Sequence, residues 1–188
     1  MAISETRARE LVNTYLKTDY LKWHVRETEV VMRALAGHFS EDEELWGLTG
    51  LLHDLDMDEI GTDYDMHGKR TCEMLAGEDA PAEMLQAIRA HCENLGFLGV
   101  KRESRLDYAL AAAENLTGFL VACALVQPDK KLATVQIDSV VKKLKKKDFA
   151  RKVNREFIAD IENTGMTQEQ LIDIGLKAMQ EIAGEIGL

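Results

Sequence analysis

Four of the five histidines in the 188-residue chain, with a few acidic residues, fall in segments that could bring them to one cation. His24 lies in Trp23-His24-Val25-Arg26, and His53 is followed at once by Asp54 in Gly50-Leu51-Leu52-His53-Asp54-Leu55-Asp56. His67 opens Met66-His67-Gly68-Lys69, His91 sits in Ile88-Arg89-Ala90-His91-Cys92, and Glu114 falls in Ala112-Ala113-Glu114-Asn115. His38, beside Phe39, stands outside the set. Imidazole nitrogens with carboxylate oxygens suit Fe, Mn, Zn, Co or Ni better than a lone Mg or Ca. Neighbouring residues on a helix diverge by about 100°, so His53 and Asp54 reach one centre only where a helix ends at a cleft edge. The acidic, Gly61-containing stretch after Leu55 supplies that ending, and Gly50-Leu51-Leu52 anchors it in a core.

The elements that must position these residues read as helices throughout. Prolines number only two, Ala, Leu, Glu, Lys and Met are plentiful, and apolar residues recur at helical spacing without a period-two strand. Ser4 caps a predicted helix to Thr18 with Leu11, Tyr15 and Leu16 inward, and a second covers 21–39. Ser40 opens a third over 41–53, residues 55–66 form a loop, and a short helix runs from His67 to Leu75. Pro81 suits the first turn of a helix to Asn94, and Gly96 and Gly99 punctuate a loop. A long apolar helix spans 106–126 and stops before Pro128; its stretch from Leu116 to Val126 serves either core or interface, so a homo-oligomer stays open. Residues 132–188 give three shorter helices, the last two divided near Thr164-Gly165. Trp23 and Trp46 read as packing aromatics, and Met57, Met66, Met74 and Met84 as gap fillers.

Composition narrows the function. The net charge of −10 argues against a nucleic-acid polymer as partner, although a metal site and a few placed cations still bind phosphate locally. The three cysteines, Cys72, Cys92 and Cys123, form no CxxC pair and read as reduced, buried thiols rather than a zinc knuckle. With neither a basic, apolar leader nor a membrane-length apolar run, a cytoplasmic protein without membrane contact is expected. Two groups of cations are candidate phosphate contacts. Lys69 and Arg70 follow His67, and Lys143 and Lys147 belong to a basic run in which Lys143, Lys147 and Arg151 lie one helical turn apart.

In this order, His24, His53-Asp54, His67 and His91 resemble the HD-domain metal-dependent phosphohydrolases, named for the adjacent His-Asp pair. The resemblance covers about residues 20–125, and the tail from Leu125 to Arg155 is similar to a predicted-hydrolase subgroup of that superfamily. It implies an all-α, HD-domain-like helical bundle with a C-terminal helical extension, one domain over 1–188 with its metal-binding core within 20–125. It further implies that His24, His53, Asp54 and Glu114 hold one divalent transition metal, with His67 and His91 completing a two-ion site in which Asp54 bridges. Relatives carry Asp where this chain has Glu114, which keeps the donor atoms on a longer stem; Asp107, seven residues earlier, is the other candidate. One or two ions (Fe, Mn, Zn, Co or Ni, with or without Mg) would activate a water against a small phosphorylated substrate, a nucleotide or similar metabolite. Asp54 is then catalytic, and Asp58 matches an acid that some relatives keep for proton transfer, with Asp56 equally placed. A non-catalytic nucleotide- or metal-binding module and a di-iron oxygenase on the same fold are the alternatives.

Overall fold

A computed structural model describes residues 3–92 and 100–188, and the described residues contain helices and turns with no strand. The predicted end of one helix at Asn94 and the loop glycines Gly96 and Gly99 lie outside the described residues.

The first helix, α1 (Glu5–Tyr15), starts where the Ser4 side chain accepts from the Arg7 amide. After it, α2 (Asp19–Phe39) and α3 (Glu43–Leu52) form an antiparallel hairpin. Its turn differs from expectation. Ser40 does not open α3 but ends α2 in a left-handed conformation at φ 58°, and Asp42 caps α3 by accepting from the amides of Glu44 and Leu45. The hairpin packs backbone against backbone at a glycine. A Cβ on Gly50 would sit 2.9 Å from the carbonyl oxygen of Thr28, which is why Gly stands there. That close approach sets the N-terminal end of α2 beside the C-terminal end of α3.

Residues 55–66, expected as plain loop, hold one turn of helix, α4 (Met57–Ile60), and a 3-10 turn (Tyr64–Met66). His67 itself is extended and Gly68 takes φ 74°, so α5 (Lys69–Leu75) begins two residues later than the sequence suggests. Pro81 caps α6 (Ala82–His91), with its φ of −57° suited to a helix entry. A capping box of Ser104 and Asp107 starts α7 (Arg105–Leu125).

With apolar residues around its whole circumference, α7 is the central post of the bundle. Among the described residues it is the one helix long and apolar enough to cross a membrane, yet it is mostly buried in the fold. Leu110, Leu116, Phe119 and Leu120 are fully enclosed, and of its apolar residues only Leu125, with Val126 just after it, is exposed. The tail wraps back through a 3-10 turn (Leu132–Thr134), α8 (Ile137–Leu144), α9 (Arg155–Ala159), a 3-10 turn (Asp160–Thr164), α10 (Gln168–Glu181) and α11 (Ala183–Ile186). It is thus more broken than the three expected helices, with Gly165 at φ 88° dividing α9 and its 3-10 turn from α10. Because α8 stops at Leu144, Lys143, Lys147 and Arg151 do not share a helical face. Residues of α10 pack on α2 and α7, joining the tail to the same hydrophobic core. Trp46 is buried as expected, whereas Trp23 is exposed.

Candidate metal centre

Three helix ends, one turn and the middle of a fourth helix deliver the site. His24 is on the first turns of α2, opposite the end of α3, where His53 and Asp54 follow Leu52. His67 comes from the extended residue before Gly68, His91 is the last residue of α6, and Glu114 projects from the middle of α7. The imidazole of His53 lies 5.2 Å centroid to centroid from both His24 and His91, and His67 lies 4.9 Å from His91.

Asp54 sits amid all four rings. Its Oδ1 is 3.3 Å from His53 Nε2, 3.3 Å from His67 Nε2 and 3.6 Å from His91 Nε2, and its Oδ2 is 3.6 Å from His24 Nε2. His24, His53 and Asp54 each offer a donor atom within 4.8 Å of one another, and so do His67, His91 and Cys92. Glu114 lines the same cleft beside them but outside both tight groups, and its carboxylate meets the Asn115 amide.

The orientation of each ring follows from what its other nitrogen touches. His53 Nδ1 faces the Gly50 carbonyl at 2.8 Å, and His91 Nδ1 faces the Ile88 carbonyl at 2.5 Å. A carbonyl only accepts, so each Nδ1 carries a proton and each Nε2 is turned toward the Asp54 carboxylate, His53 Nε2 with a bare lone pair. His67 Nδ1 faces Asp56 Oδ1 at 2.8 Å, while Asp56 Oδ2 accepts from the Gly68 amide at 2.7 Å and the Thr71 amide at 3.1 Å. Asp56 is fully buried and orients His67, as carboxylates behind ligating histidines do. His24 Nδ1 meets the Thr117 hydroxyl of α7 at 3.4 Å.

These residues fit a divalent cation. His53 Nε2 is buried without a hydrogen-bond partner, its lone pair aimed toward a carboxylate oxygen that also has only lone pairs. A positive charge between them is what both lack. Protonation shows the same need. Burial pushes His53 down to about 3 and lowers His24. Burial also opposes ionisation of Asp54, yet the imidazoles around it hold its carboxyl well below the usual range. Burial likewise works against a charged His67, but its bond to Asp56 prevails and raises it to about 10. Cys92, raised by burial, is brought down to about 7 by His91 and His67. Burial pushes Glu114 up to about 8.

The remaining predicted residues lie elsewhere. Asp58 does not face the cleft: its Oδ2 accepts from the Lys17 and Thr18 amides and its Oδ1 from the Thr18 hydroxyl, so it ties α4 to the α1–α2 junction. Asp107 is spent on the capping box of α7, accepting from the amides of Glu103 and Ser104. Lys69 is exposed outside the cleft lining, and Arg70 is engaged by Glu59 and Glu73. Lys143 reaches Ser139 and the Phe149 ring, and Lys147 is exposed away from the cleft. The cation that does line it is Lys152, with Asn115, Asn154, Phe157, Tyr64 and Met57 around a volume of about 380 Å³. Nothing in the spacing singled out Lys152, because the turn that carries it follows no helical period. Cys92 went unselected because it pairs with no second cysteine.

A family model described as HD domain matches residues 23–118, which include every one of the convergent imidazoles and both acids of the cleft. No curated protein and no solved structure matches the chain. On that match, over half its length and through the His53-Asp54 pair, the chain belongs to the HD domain family.

Proposed function

We propose that the protein is a metal-dependent phosphohydrolase that cleaves a phosphoester of a nucleotide or another small phosphorylated metabolite. The observation that carries this reading is the convergence of four imidazole Nε2 atoms on one buried carboxylate, with His53 Nε2 left unpartnered. Family membership points to the same metal-dependent, hydrolase-type chemistry. One or two divalent transition-metal ions held by His24, His53 and Asp54, and by His67, His91 and Asp54, would polarise a phosphoryl oxygen and lower the pKa of water. Of the two acids on α7, Glu114 is the one in the cleft, and we take it as the remaining carboxylate of the centre.

The chain's own residues supply the rest. A volume of about 380 Å³ suits a small metabolite rather than a polymer. Lys152 brings a fixed positive charge to a cleft whose acids are Asp54 and Glu114, where a phosphate needs a counter-charge. The side chain of Asn115 accepts from the Asn154 amide, joining α7 to the segment before α9 and fixing the wall beside Lys152. Phe157 and Tyr64 offer flat apolar surface to the organic part of the substrate. Protein loaded in turn with Mn2+, Co2+, Ni2+, Zn2+, Fe2+ and Mg2+ is to be screened for phosphate release from nucleotides and simple phosphomonoesters. Turnover with at least one ion, lost by about a thousandfold in Asp54→Ala, is expected, since the ion contributes several kcal/mol to the transition state. No turnover with any ion, or turnover unchanged in Asp54→Ala, overturns the reading.

A further inference from the structure

The HD pair has a counterpart across the cleft. Where α3 ends in His53-Asp54, α6 ends in His91-Cys92, again an imidazole followed directly by a group that binds cations as an anion. Both pairs sit at helix C-termini, where the unpaired carbonyls favour positive charge. Cys92 is buried, its Sγ lies beside the His91 ring at 3.4 Å from Nε2 and 3.5 Å from Nδ1, and His91 Nε2 is itself 3.1 Å from His67 Nε2. A tetrahedral ion with Zn–N near 2.0–2.1 Å and Zn–S near 2.3 Å sets its ligand atoms about 3.3 Å apart for N and N and about 3.6 Å apart for N and S. The separations lie within a few tenths of an ångström of both, with the three donor atoms grouped closely and the sulfur left to turn from the ring toward Nε2 as an ion binds.

Two further contacts hold the sulfur there. Gly68, at φ 74°, brings the turn after His67 so close that a Cβ would stand 2.8 Å from Cys92 Sγ, so the backbone closes over the thiol. The Ile88 carbonyl accepts from the thiol at 3.9 Å, the long end of a sulfur hydrogen bond, so the sulfur is held only weakly by the backbone. The other thiols are placed differently: Cys72 leans on the Leu85 carbonyl at 3.7 Å, and Cys123 is buried in the apolar core.

We propose that Cys92 is a metal ligand, and that the position formed by His67, His91 and Asp54 is completed by its sulfur. The inference rests on the metal-dependent reading of the same site and adds to it the class of ion. One position, with His24, His53 and Asp54, offers only nitrogen and oxygen. The other offers sulfur as well, and so takes a thiophilic ion such as Zn2+ or Co2+ in preference to Mg2+ or Ca2+. Binding forms an Sγ–metal bond and releases the thiol proton to solvent, with no change of oxidation state.

Co2+ titration of the metal-free protein tests this without any substrate. Cobalt–thiolate bonding produces a near-ultraviolet charge-transfer band that nitrogen and oxygen ligands do not. The band is expected in the wild type and in Cys72→Ser/Cys123→Ser, where Cys92 is the one cysteine left, and is expected to be absent from Cys92→Ser. Zn2+ affinity of one of two equivalents should fall by roughly a hundredfold or more in Cys92→Ser. Two bound equivalents without the band in the wild type overturn the role of Cys92 and leave the phosphohydrolase reading standing. The band persisting in Cys92→Ser does the same. Binding of no metal at all overturns both.

Discussion

Asp56→Asn replaces one oxygen by NH2 and should disable the ligand His67 through the ring nitrogen that faces away from the centre. In the wild type the carboxylate only accepts: Oδ1 takes the Nδ1 proton of His67 at 2.8 Å, and Oδ2 takes the amides of Gly68 and Thr71 at 2.7 and 3.1 Å. An asparagine has one accepting oxygen and one donating NH2. The oxygen stays with the two fixed backbone donors, so the NH2 faces His67 Nδ1 and forces that nitrogen to accept. Once the ring is neutral, as metal binding requires, its one proton is held on Nε2, the atom 3.3 Å from Asp54 Oδ1, and no lone pair faces the centre. Replacing a charge-assisted bond by a neutral one costs about 1 kcal/mol, and three bonds change, so stability should fall by about 2–3 kcal/mol. Metal affinity at the His67 position should fall about 10- to 100-fold, the usual consequence of losing the group behind a ligating histidine. Competition with a chromophoric chelator measures the affinity, urea unfolding the stability, and nitrogen NMR of the ring its tautomer. Asp58→Asn serves as the comparison, because that carboxylate bonds the Lys17 and Thr18 segment instead. Wild-type affinity for both equivalents in folded Asp56→Asn would refute the reasoning, as would an equal loss in Asp58→Asn.

Three other perturbations probe different parts of the molecule. Burial pushes Glu27 up from 4.5 to about 7, so between those pH values the unfolded chain is ionised while the folded protein keeps its proton, and stability falls as pH rises through the window. Glu27→Gln should therefore raise stability at pH 8 by up to about 3 kcal/mol and change little near pH 4.5, as thermal melts at both pH values will show; a gain independent of pH excludes this cause. Gly50→Ala places a methyl 2.9 Å from the Thr28 carbonyl, so α3 must back away from α2. It should lose about 1–3 kcal/mol and weaken metal binding at the His24, His53 and Asp54 position, and a variant with wild-type melting temperature would contradict the close approach. Lys152→Ala removes the exposed cation of the cleft, worth about 1 kcal/mol, and should raise KM for a phosphorylated substrate about fivefold while leaving metal affinity unchanged. An unaltered KM would remove Lys152 from the substrate side of the cleft.

The His-Asp pair, the helical class and the order of the imidazoles were legible in the chain alone, because each is a local property. Helical periodicity marked α2, α3 and α7 to within two residues at either end of each, since propensity and apolar spacing act over a few turns. Adjacent His53 and Asp54 announced a helix end, and the helix ends there. Other features depended on neighbours far along the sequence. Asp56 and Asp58 were indistinguishable as sequence positions, yet folding buries one behind His67 and turns the other to the backbone of Lys17 and Thr18. Lys69 and Arg70 adjoin His67 in the chain but not in the cleft, because Gly68 at φ 74° redirects the backbone between them. Lys152 and Cys92 reach the centre only because the tail folds back on α7 and α6 ends against the His67 turn. Sequence thus set which groups can bind a cation. Tertiary packing decided which of them share one, since that depends on distances between side chains that no local pattern encodes.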